Sequence, residues 1–326
     1  MFLNYREKPF ALFYYVAISV RRELTRNEKF QMENLIKGFE GECLYDEILN
    51  TVGHENLYVL RDLYLNINNS VIQYDSIIVM NNRIVVNEVK NLNGDYRYEN
   101  NGWYKNNKQM ESDPFIQLSR GKSRLINLRQ KSPWDFEVDG NIIFTNDDFS
   151  FVSDNEGMQS QAVMRSRLKK YFRSFKQEAV GNNAKEVVQL IKSAIVDNPK
   201  LPEPVDITQL KRGLYCGNCI SYNLFKGQFQ FVCEDCGSIE SYETHLLRAM
   251  FDYKYLFPNQ LMTRHSLLHL LNYEINKNTV FYALKKHCHI LKNGNQTSYT
   301  LKYSNFDKEL VKIRNTQRYK DKIINI

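Results

Sequence analysis

Residues 72–90 read IQYDSIIVMNNRIVVNEVK. Two apolar runs flank Asn81-Asn82-Arg83, a cluster of turn-forming type, so the sequence predicts two strands joined as a hairpin. With the turn centred on Asn81-Asn82, positions whose numbers sum to 163 face each other, and Asp75 lies opposite Glu88. Cross-strand partners lie roughly 5 Å apart at Cβ, which lets two carboxylates share one divalent cation.

Glu88 and Lys90 point to the same side of their strand, because side chains alternate and Val89 takes the other side. Two carboxylates beside one ammonium suit metal-dependent cleavage of phosphodiester bonds. The carboxylates would hold Mg²⁺ or Mn²⁺, and the lysine would orient the attacking water or stabilise charge on the phosphate. The same spacing also fits a hairpin with polar ends and a Glu–Lys pair. However, an Asp opposite a Glu is repulsive unless a cation lies between them.

Length and composition are those of an ordinary globular protein. At 326 residues, with 43% hydrophobic and 25% charged residues, the chain is long enough for two or three domains. Its longest apolar stretch, residues 10–20, is about half the length that crosses a bilayer, and it lacks the cleavage site of a signal peptide. We therefore expect no membrane contact, a cytoplasmic location, and a core helix of the first domain at this stretch.

Charge is distributed unevenly along the chain, whose net charge is +7. Residues 1–150 contain 18 Lys/Arg against 21 Asp/Glu, whereas residues 151–326 contain 26 against 16. This asymmetry suggests catalysis in the front half and polyanion binding in the back half. Residues 158–177 contain six Lys or Arg and no acid, and the pattern predicts one basic helix there, with Arg165 and Lys169 as candidate contacts to a DNA backbone. The alternative is a basic helix that only packs on its neighbour.

Around the hairpin, the hydrophobic pattern predicts the order helix, strand, hairpin, strand, helix, strand. The first of these helices starts near Gly38 and carries Glu42. Asp113-Pro114 introduces a later helix, residues 115 to about 128, in which Gln117 lies beside the apolar stripe. This order predicts an α/β fold in which a mixed sheet is covered by helices on its faces.

These residues resemble the nuclease-related domain, NERD, a branch of the restriction-endonuclease-like PD-(D/E)xK nucleases. The resemblance covers residues 38–130, a little over a quarter of the chain. The residues that carry it are Gly38, Gly41, Glu42, Asp75, Glu88-Val89-Lys90-Asn91, Gly94, Trp103, Asp113-Pro114 and Gln117. Family members often have an apolar residue before the Asp and a His after it, whereas this chain has Tyr74 and Ser76. That departure concerns the approach of the substrate more than the binding of metal.

The resemblance implies a restriction-endonuclease-like sheet and a nuclease that depends on Mg²⁺ or Mn²⁺. In that family the helical Glu, the hairpin Asp, the Glu and Lys of the ExK element, and the later Gln form the active site. Here these residues would be Glu42, Asp75, Glu88, Lys90 and Gln117, with Asp75, Glu88 and Glu42 as the metal ligands. All five positions are filled by the expected residue types, and the substrate is left open.

Four of the six cysteines form two knuckles, Cys216-Gly217-Asn218-Cys219 and Cys233-Glu234-Asp235-Cys236, separated by 13 residues. Disulfides are disfavoured in a cytoplasmic protein, and this spacing predicts a four-thiolate Zn²⁺ site in a zinc ribbon. Four protein ligands complete a tetrahedral shell, so this zinc would be structural. The alternative, a redox Cys-x-x-Cys, is disfavoured because two such pairs occur. Whether the ribbon contacts nucleic acid or braces its neighbours stays open.

Three helices and a hairpin follow the knuckles, and this part of the chain resembles a winged-helix domain. The predicted helices are residues 244–257, 262–273 and 279–287, and the predicted hairpin is residues 290–301. The second helix of the turn pair in such a domain enters the major groove of DNA. Lys285, Lys286 and the wing residue Lys292 are therefore candidate nucleic-acid contacts. The alternative is a winged helix used for protein contact or dimerisation.

Together, these patterns predict a chain of five segments. They are a NERD-like nuclease domain at 1–150, a basic helical connector with a Pro-containing linker at 151–205, a zinc ribbon at 206–243, a winged-helix-like domain at 244–305 and a basic tail at 306–326. The predicted function is metal-dependent hydrolysis of DNA, with the later segments binding nucleic acid. The alternative is a non-catalytic DNA-binding or regulatory protein that retains the nuclease fold. An RNA substrate and a homo-oligomer are both compatible with the sequence.

Overall fold

The computed structural model describes residues 1–177, 181–294, 296–316 and 319–324. The chain divides into two compact units: the first comprises Met1–Pro9 and Glu33–Lys200, and the second comprises Phe10–Met32 and Leu201–Ile326. The apolar stretch at residues 10–20 therefore belongs to the second unit, and the expectation of a core helix in the first domain is wrong. Apolar periodicity indicates that a helix is buried, but it does not identify the core in which it is buried.

In the described residues, the helices are α1 (Phe10–Ser19), α2 (Arg26–Val52), α3 (Pro114–Gln130), α4 (Glu156–Gln161), α5 (Arg165–Ser174), α6 (Asn182–Ser193), α7 (Tyr242–Leu256), α8 (Arg264–Leu270), α9 (Lys277–His287) and α10 (Phe306–Thr316). The strands are β1 (Tyr58–Ile67), β2 (Ser70–Val79), β3 (Arg83–Lys90), β4 (Gly94–Glu99), β5 (Gly102–Lys105), β6 (Lys108–Gln109), β7 (Glu137–Phe144), β8 (Phe149–Ser153), β9 (Ala162–Met164), β10 (Ile195–Val196), β11 (Leu224–Lys226), β12 (Gln230–Cys233), β13 (Ile239–Ser241), β14 (Cys288–Asn293) and β15 (Gln296–Leu301).

A six-stranded mixed sheet forms the centre of the first unit, with strand order β10-β1-β2-β3-β7-β9. Neighbours from β10 to β3 pair antiparallel, whereas β3 with β7 and β7 with β9 pair parallel. Ser76 lies opposite Asn87 and Val79 lies opposite Ile84, so the predicted hairpin and its register are confirmed. A smaller sheet of order β6-β5-β4-β8 belongs to the same unit.

Alternation along the strands gives the central sheet two apolar faces, each covered by helices. On one face, Ile78 and Val85 belong to a core with Tyr45 of α2 and Phe172 of α5. On the other face, Ile77 belongs to a core that includes residues of α3 and α6, namely Leu118, Leu125, Val187 and Ile191. The successive residues Ile77 and Ile78 thus enter different cores, as the period of a strand requires. This is the predicted α/β fold, a mixed sheet with helices on both faces.

Two helical segments differ from the sequence prediction. The helix that carries Glu42 begins at Arg26 rather than near Gly38, because a helix tolerates an internal glycine at a cost of only about 1 kcal/mol. The basic stretch at residues 158–177 is not one helix. Its Ala-Val-Met run forms β9, which pairs with β7 at the edge of the central sheet, and α5 begins directly afterwards at Arg165.

The core of the second unit includes residues of α1, α7, α8 and α9 together with the β14–β15 hairpin. Leu247 and Met250 of α7 are fully buried, and β11, β12 and β13 form a three-stranded antiparallel sheet around the second knuckle. The order of three helices and a hairpin is present from α7 to β15, whereas the winged-helix assignment stays a prediction. Of the helices that the structure describes, none is both long and apolar enough to cross a bilayer.

Candidate active site and candidate zinc centre

The β2–β3 hairpin brings Asp75, Glu88 and Lys90 together beside the last paired residues, Ser76 and Asn87. Asp75 accepts a hydrogen bond from the backbone N–H of Val89 through Oδ2, at 2.8 Å. The Lys90 ammonium donates to Glu88 Oε1 at 2.7 Å. Asp75, Glu88 and Lys90 are therefore neighbours in space, as the hairpin register predicts.

A buried hydrogen-bond network fixes two helices against the hairpin beside these carboxylates. The Tyr45 hydroxyl of α2 lies 3.1 Å from Ser76 Oγ and accepts from Asn87 Nδ2 at 2.7 Å. Asn87 Oδ1 in turn accepts from the Tyr171 hydroxyl of α5 at 2.6 Å. Ser76 and Asn87 are the chain neighbours of Asp75 and Glu88, so this network also fixes the backbone that carries both carboxylates.

Helix α2 places Glu42 in the same region through a close approach to the sheet. A Cβ atom at Gly41 would lie 2.6 Å from Asn91 Cβ and 2.7 Å from Thr145 Oγ1, so this approach requires glycine. Glu42 is close enough to Asp75 for the two carboxylates to repel each other. In the part of the chain that the structure describes, the oxygens of Glu42, Asp75 and Glu88 do not all lie within 4.8 Å of one another.

Arg6 pairs with Glu42 and is a residue of the site that was not predicted from the sequence. The guanidinium donates to Glu42 Oε2 at 2.5 Å, to Asp46 Oδ2 at 2.8 Å and to the carbonyl oxygen of Asp75 at 3.1 Å. Its side chain is 3% exposed. Because these partners lie 36 to 69 residues further along the chain, no local pattern marks Arg6.

Asp62 is another carboxylate of this region that was not predicted from the sequence. Arg61 pairs with Ser76 and Leu63 with Tyr74, so Asp62 lies opposite Asp75 across the β1–β2 ladder. Its φ of 46° is uncommon for a residue other than glycine and is found here in mid-strand. Burial raises its pKa, and the charge of Asp75 adds to this effect. In the sequence, Asp62 follows Arg61 inside an otherwise mostly apolar strand. Neither its residue type nor its spacing indicates that it lies beside Asp75.

The electrostatics of the site favour a bound cation. Burial, followed by the charge of Asp75, raises the pKa of Glu88 to about 7. The same two causes raise the pKa of Glu42 to about 8, against the opposing effect of Arg6. Burial lowers the pKa of Lys90, but Glu88 and Asp75 outweigh it, so the net direction is upward and Lys90 remains protonated at neutral pH. Hard carboxylate oxygens whose charges are disfavoured by burial fit the ligand preference of Mg²⁺ or Mn²⁺.

Asp75 and Glu88 line a cleft of about 690 Å³, and Gln117 lines the same cleft from α3. The start of α3 is well defined, because the Asp113 carboxylate accepts hydrogen bonds from two N–H groups of the first turn and a proline follows it. Gln117 lies in that first turn and is exposed. The structure therefore brings together the hairpin residues and the glutamine, with Glu42 close to Asp75.

The five predicted nucleic-acid contacts lie elsewhere. Arg165 and Lys169 line a separate cleft of about 610 Å³, where Arg165 pairs with Asp147 at 3.0 Å. In the second unit, the three lysines at the end of α9 and on β14 are exposed; they are Lys285, Lys286 and Lys292. Lys286 also pairs with Glu243 at 2.5 Å.

The four knuckle cysteines converge on one point. Cys216 Sγ lies 3.6 Å from Cys236 Sγ, Cys219 Sγ lies 3.5 Å from Cys233 Sγ, and all four sulfurs are within 4.8 Å of one another. Tetrahedral Zn²⁺ with Zn–S bonds of about 2.3 Å implies sulfur separations of roughly 3.8 Å. The observed separations are close to this value, and this cluster could hold zinc.

The two knuckles are built by the same backbone turn. In each, the N–H of the first cysteine donates to a carbonyl five residues later, that of Ser221 or Ser238, at 2.8 Å. The residue before that serine has a positive φ, 63° at Ile220 and 72° at Gly237. One knuckle therefore uses glycine where the other uses a β-branched residue in the same strained conformation.

The protonation of the cluster also favours a cation. Burial raises the pKa of Cys216 to about 12, whereas hydrogen bonding to Ser238 lowers the pKa of Cys236 to about 6. A coordinated thiol is deprotonated outright, so zinc would bring both sulfurs into the thiolate form.

A buried ion pair connects the first knuckle to α7. Glu240 accepts a hydrogen bond from the backbone N–H of Gly217 at 2.8 Å and pairs with Arg248. Arg248 also donates to the carbonyl oxygen of Tyr215 at 3.0 Å, directly before the first cysteine. The carboxylate and guanidinium thus hold the knuckle backbone in place from the core side.

Comparison with known proteins supports the interpretation of the first unit. Residues 37–145 match the family described as "Nuclease-related domain", NERD. This segment contains the hairpin, Glu42 and Gln117, and it covers one third of the chain. No curated protein and no solved structure matches the chain.

Proposed function

We propose that the segment 37–145, which matches the nuclease-related domain, hydrolyses phosphodiester bonds of nucleic acid, DNA foremost, with Mg²⁺ or Mn²⁺. The observation that carries the proposal is a convergence of elements. Asp75 of β2, Glu88 of β3 and Gln117 of α3 line one cleft, and the ammonium of Lys90 is bonded to Glu88.

Asp75 and Glu88 are the proposed metal ligands, with Glu42 as a third carboxylate from α2. A divalent cation would supply Lewis-acid polarisation of the phosphate and would lower the pKa of water. The carboxylates suit this task because they are buried and lie near one another, so a bound cation would stabilise their charged forms. Arg6 offsets part of the unfavourable charge at Glu42.

Lys90 would act as a hydrogen-bond donor rather than as a base. Its pKa is raised, so it carries a proton at neutral pH. From its position beside Glu88 it would donate to the attacking water or to a phosphate oxygen, where negative charge develops. Gln117 is exposed in the same cleft, and its amide would orient Lys90 or the phosphate.

The second unit would bind zinc and nucleic acid. Cys216, Cys219, Cys233 and Cys236 would hold a structural Zn²⁺, since four sulfurs leave no open coordination position. Lys285 and Lys286 at the end of α9 and Lys292 on β14 would contact a nucleic-acid backbone. Arg165 and Lys169 are proposed as backbone contacts of the first unit.

The test is a cleavage assay with the purified full chain on plasmid, linear and single-stranded DNA, and on RNA, with Mg²⁺, Mn²⁺ or EDTA. We expect cleavage that EDTA abolishes. Asp75→Ala and Lys90→Ala should lower the rate by roughly 10²–10³-fold, the loss expected when one group that stabilises transition-state charge is removed. Cleavage of RNA alone would overturn the assignment to DNA.

The matched control is Lys108→Ala, which removes an exposed lysine of β6 from the same unit. This variant should cut at the parent rate. If Asp75→Ala and Lys90→Ala also cut at the parent rate, the site assignment is wrong. Equal thermal unfolding of the three variants would exclude misfolding as the cause of a loss.

The second candidate function is a non-catalytic nucleic-acid-binding protein. The observation that favours it is the internal pairing of the site, in which Glu42 is bonded to Arg6 and Glu88 to Lys90. Titration calorimetry with Mn²⁺ discriminates the two functions. Absence of Mn²⁺ binding together with salt-dependent DNA binding would support this function and exclude the nuclease.

A further inference from the structure

We propose that the polar face of α3, with Lys200, forms a track that binds the phosphodiester backbone of the nucleic acid leading into the active-site cleft. This inference rests on the proposed function, because it assigns the substrate strand to the same cleft. It concerns residues other than the predicted backbone contacts, all five of which lie outside this cleft.

The face is defined by helical spacing. Gln117, Arg120, Arg124 and Asn127 follow one another at intervals of three or four residues, so they occupy one side of α3. All four line the cleft that also contains Asp75 and Glu88. The opposite side of the helix, with Leu118 and Leu125, is buried in the core. Helix α3 therefore packs in the core on one side and lines the cleft with its polar side.

In the described part of the chain, the cations of this face have no carboxylate partner at salt-bridge distance. Among the residues that the structure describes, no carboxylate lies within 4 Å of the charged nitrogens of Arg120, Arg124 or Lys200. Other arginines of the same unit are paired, as Arg6 is with Glu42 and Arg61 is with Asp46. Unpaired cations in a cleft focus positive potential and attract an anion.

The length of the face fits a strand rather than a single phosphate group. Ten residues separate Gln117 from Asn127, which corresponds to about 15 Å along the helix. Phosphates of one duplex strand are spaced 3.4 Å along the axis, so the face reaches about four nucleotides. Two further polar side chains that line the cleft beside these cations, the Ser119 hydroxyl and the Asn127 amide, supply additional donors to phosphate oxygens.

The experiment measures binding separately from cleavage. Fluorescence anisotropy with a short labelled DNA, single-stranded or duplex, is recorded without added Mg²⁺ or Mn²⁺ in the full chain carrying Lys90→Ala, between roughly 50 and 200 mM salt. Each phosphate contact contributes about 0.7 to the slope of log affinity against log salt for a single strand and about 0.9 for a duplex. Arg120→Gln and Arg124→Gln should each lower the slope by that amount and weaken binding roughly five- to eightfold at 0.1 M salt.

Lys108→Gln is the matched control, since it removes one exposed positive charge of the same unit outside the cleft. It should leave the slope unchanged, and equal thermal unfolding of all variants would show that they are folded. If Arg120→Gln and Arg124→Gln keep the parent slope on both DNA forms, the track is wrong even if the chain cleaves DNA. A second outcome is that both variants lower the salt slope while the chain with Lys90 intact does not cleave DNA. That result would support the phosphate-binding track and contradict the nuclease proposal.

Discussion

The carboxylate cluster of the first unit and the cysteine cluster of the second unit gather acidic groups in opposite ways. The four sulfurs lie within 4.8 Å of one another and point to one shared cation. The carboxylates are instead held separately, Glu42 by Arg6, Glu88 by Lys90 and Asp75 by the N–H of Val89. Asp75 and Glu88 also border a cleft of about 690 Å³. A closed cluster with a complete ligand set suits folding stability, whereas separately held ligands beside a cleft leave room for a substrate.

The largest contrast should appear when a ligand is removed from each cluster. Cys233→Ser should release the zinc and unfold the knuckles, because structural zinc contributes about 10 kcal/mol or more to the folding of such modules. Asp75→Asn should keep the zinc, and it should not lower the unfolding temperature, because it removes a charge that repels Glu42 and Glu88. Metal content by atomic absorption and unfolding by circular dichroism measure both effects.

The control for this pair is Cys43→Ser, at an exposed cysteine outside the cluster. It should behave as the parent chain does. Retention of one zinc per chain by Cys233→Ser, with unchanged unfolding, would contradict the closed four-sulfur site.

The next effect concerns the cation that holds Glu42. Arg6→Gln should lower the free energy of unfolding by about 3–5 kcal/mol, because Glu42 and Asp46 would lose a partner in a buried setting. The exposed pair Arg165–Asp147, with side chains 38% and 77% exposed, provides the control. Arg165→Gln should cost less than about 1 kcal/mol. Urea unfolding measures both values, and equal losses would show that burial does not distinguish the two pairs.

A smaller effect should appear as a dependence of stability on pH when no Mg²⁺ or Mn²⁺ is added. The pKa of Glu88 is about 7 in the folded chain and 4.5 ordinarily, so the folded state binds more protons than the unfolded state between these values. Stability therefore falls as pH rises through this window, by up to about 3 kcal/mol at 1.36 kcal/mol per pH unit. Glu88→Gln should flatten that part of the curve.

Urea unfolding at several pH values measures this difference between parent and variant. Glu99→Gln, at a glutamate of β4 outside the cleft, should keep the parent dependence. A Glu88→Gln curve parallel to the parent curve would mean that Glu88 does not carry the raised pKa.

The smallest effect compares the two knuckles. Ile220 and Gly237 occupy equivalent positions with positive φ, and this conformation costs a residue with a Cβ roughly 1–2 kcal/mol. Ile220→Gly should therefore stabilise the zinc-loaded chain by about 0.5–1 kcal/mol, after the greater entropy of glycine in the unfolded state is subtracted. Gly237→Ala should destabilise it by about 1 kcal/mol. Thermal unfolding of the two variants and the parent measures these differences. A loss of stability in Ile220→Gly would indicate that the exposed isoleucine makes contacts that outweigh the strain.

The features predicted correctly from the sequence are those that short spacings determine. The hairpin register follows from one turn and the alternation of side chains, and the cysteine cluster follows from two knuckles with a fixed separation. The start of α3 follows from Asp113-Pro114, which caps a helix through local hydrogen bonds.

The features missed are those that depend on packing between distant segments. Arg6 contacts partners up to 69 residues away in the sequence. Asp62 lies at a mid-strand position with a positive φ, which its residue type does not predict. Helix α1 looked like part of the first domain because it precedes that domain in the chain, yet it belongs to the second unit. Sequence order and apolar periodicity do not predict which distant segments pack against each other.

The exposed Cys43 directly follows Glu42 on α2. The other isolated cysteine, Cys288, is buried, and the remaining four would be engaged by zinc. Burial raises the pKa of the Cys43 thiol, so alkylation there calls for mildly alkaline conditions. A maleimide dye or nitroxide would then attach one residue from a proposed ligand, without any engineered cysteine. The native chain thereby offers its own spectroscopic handle for watching α2 respond as metal and nucleic acid are added.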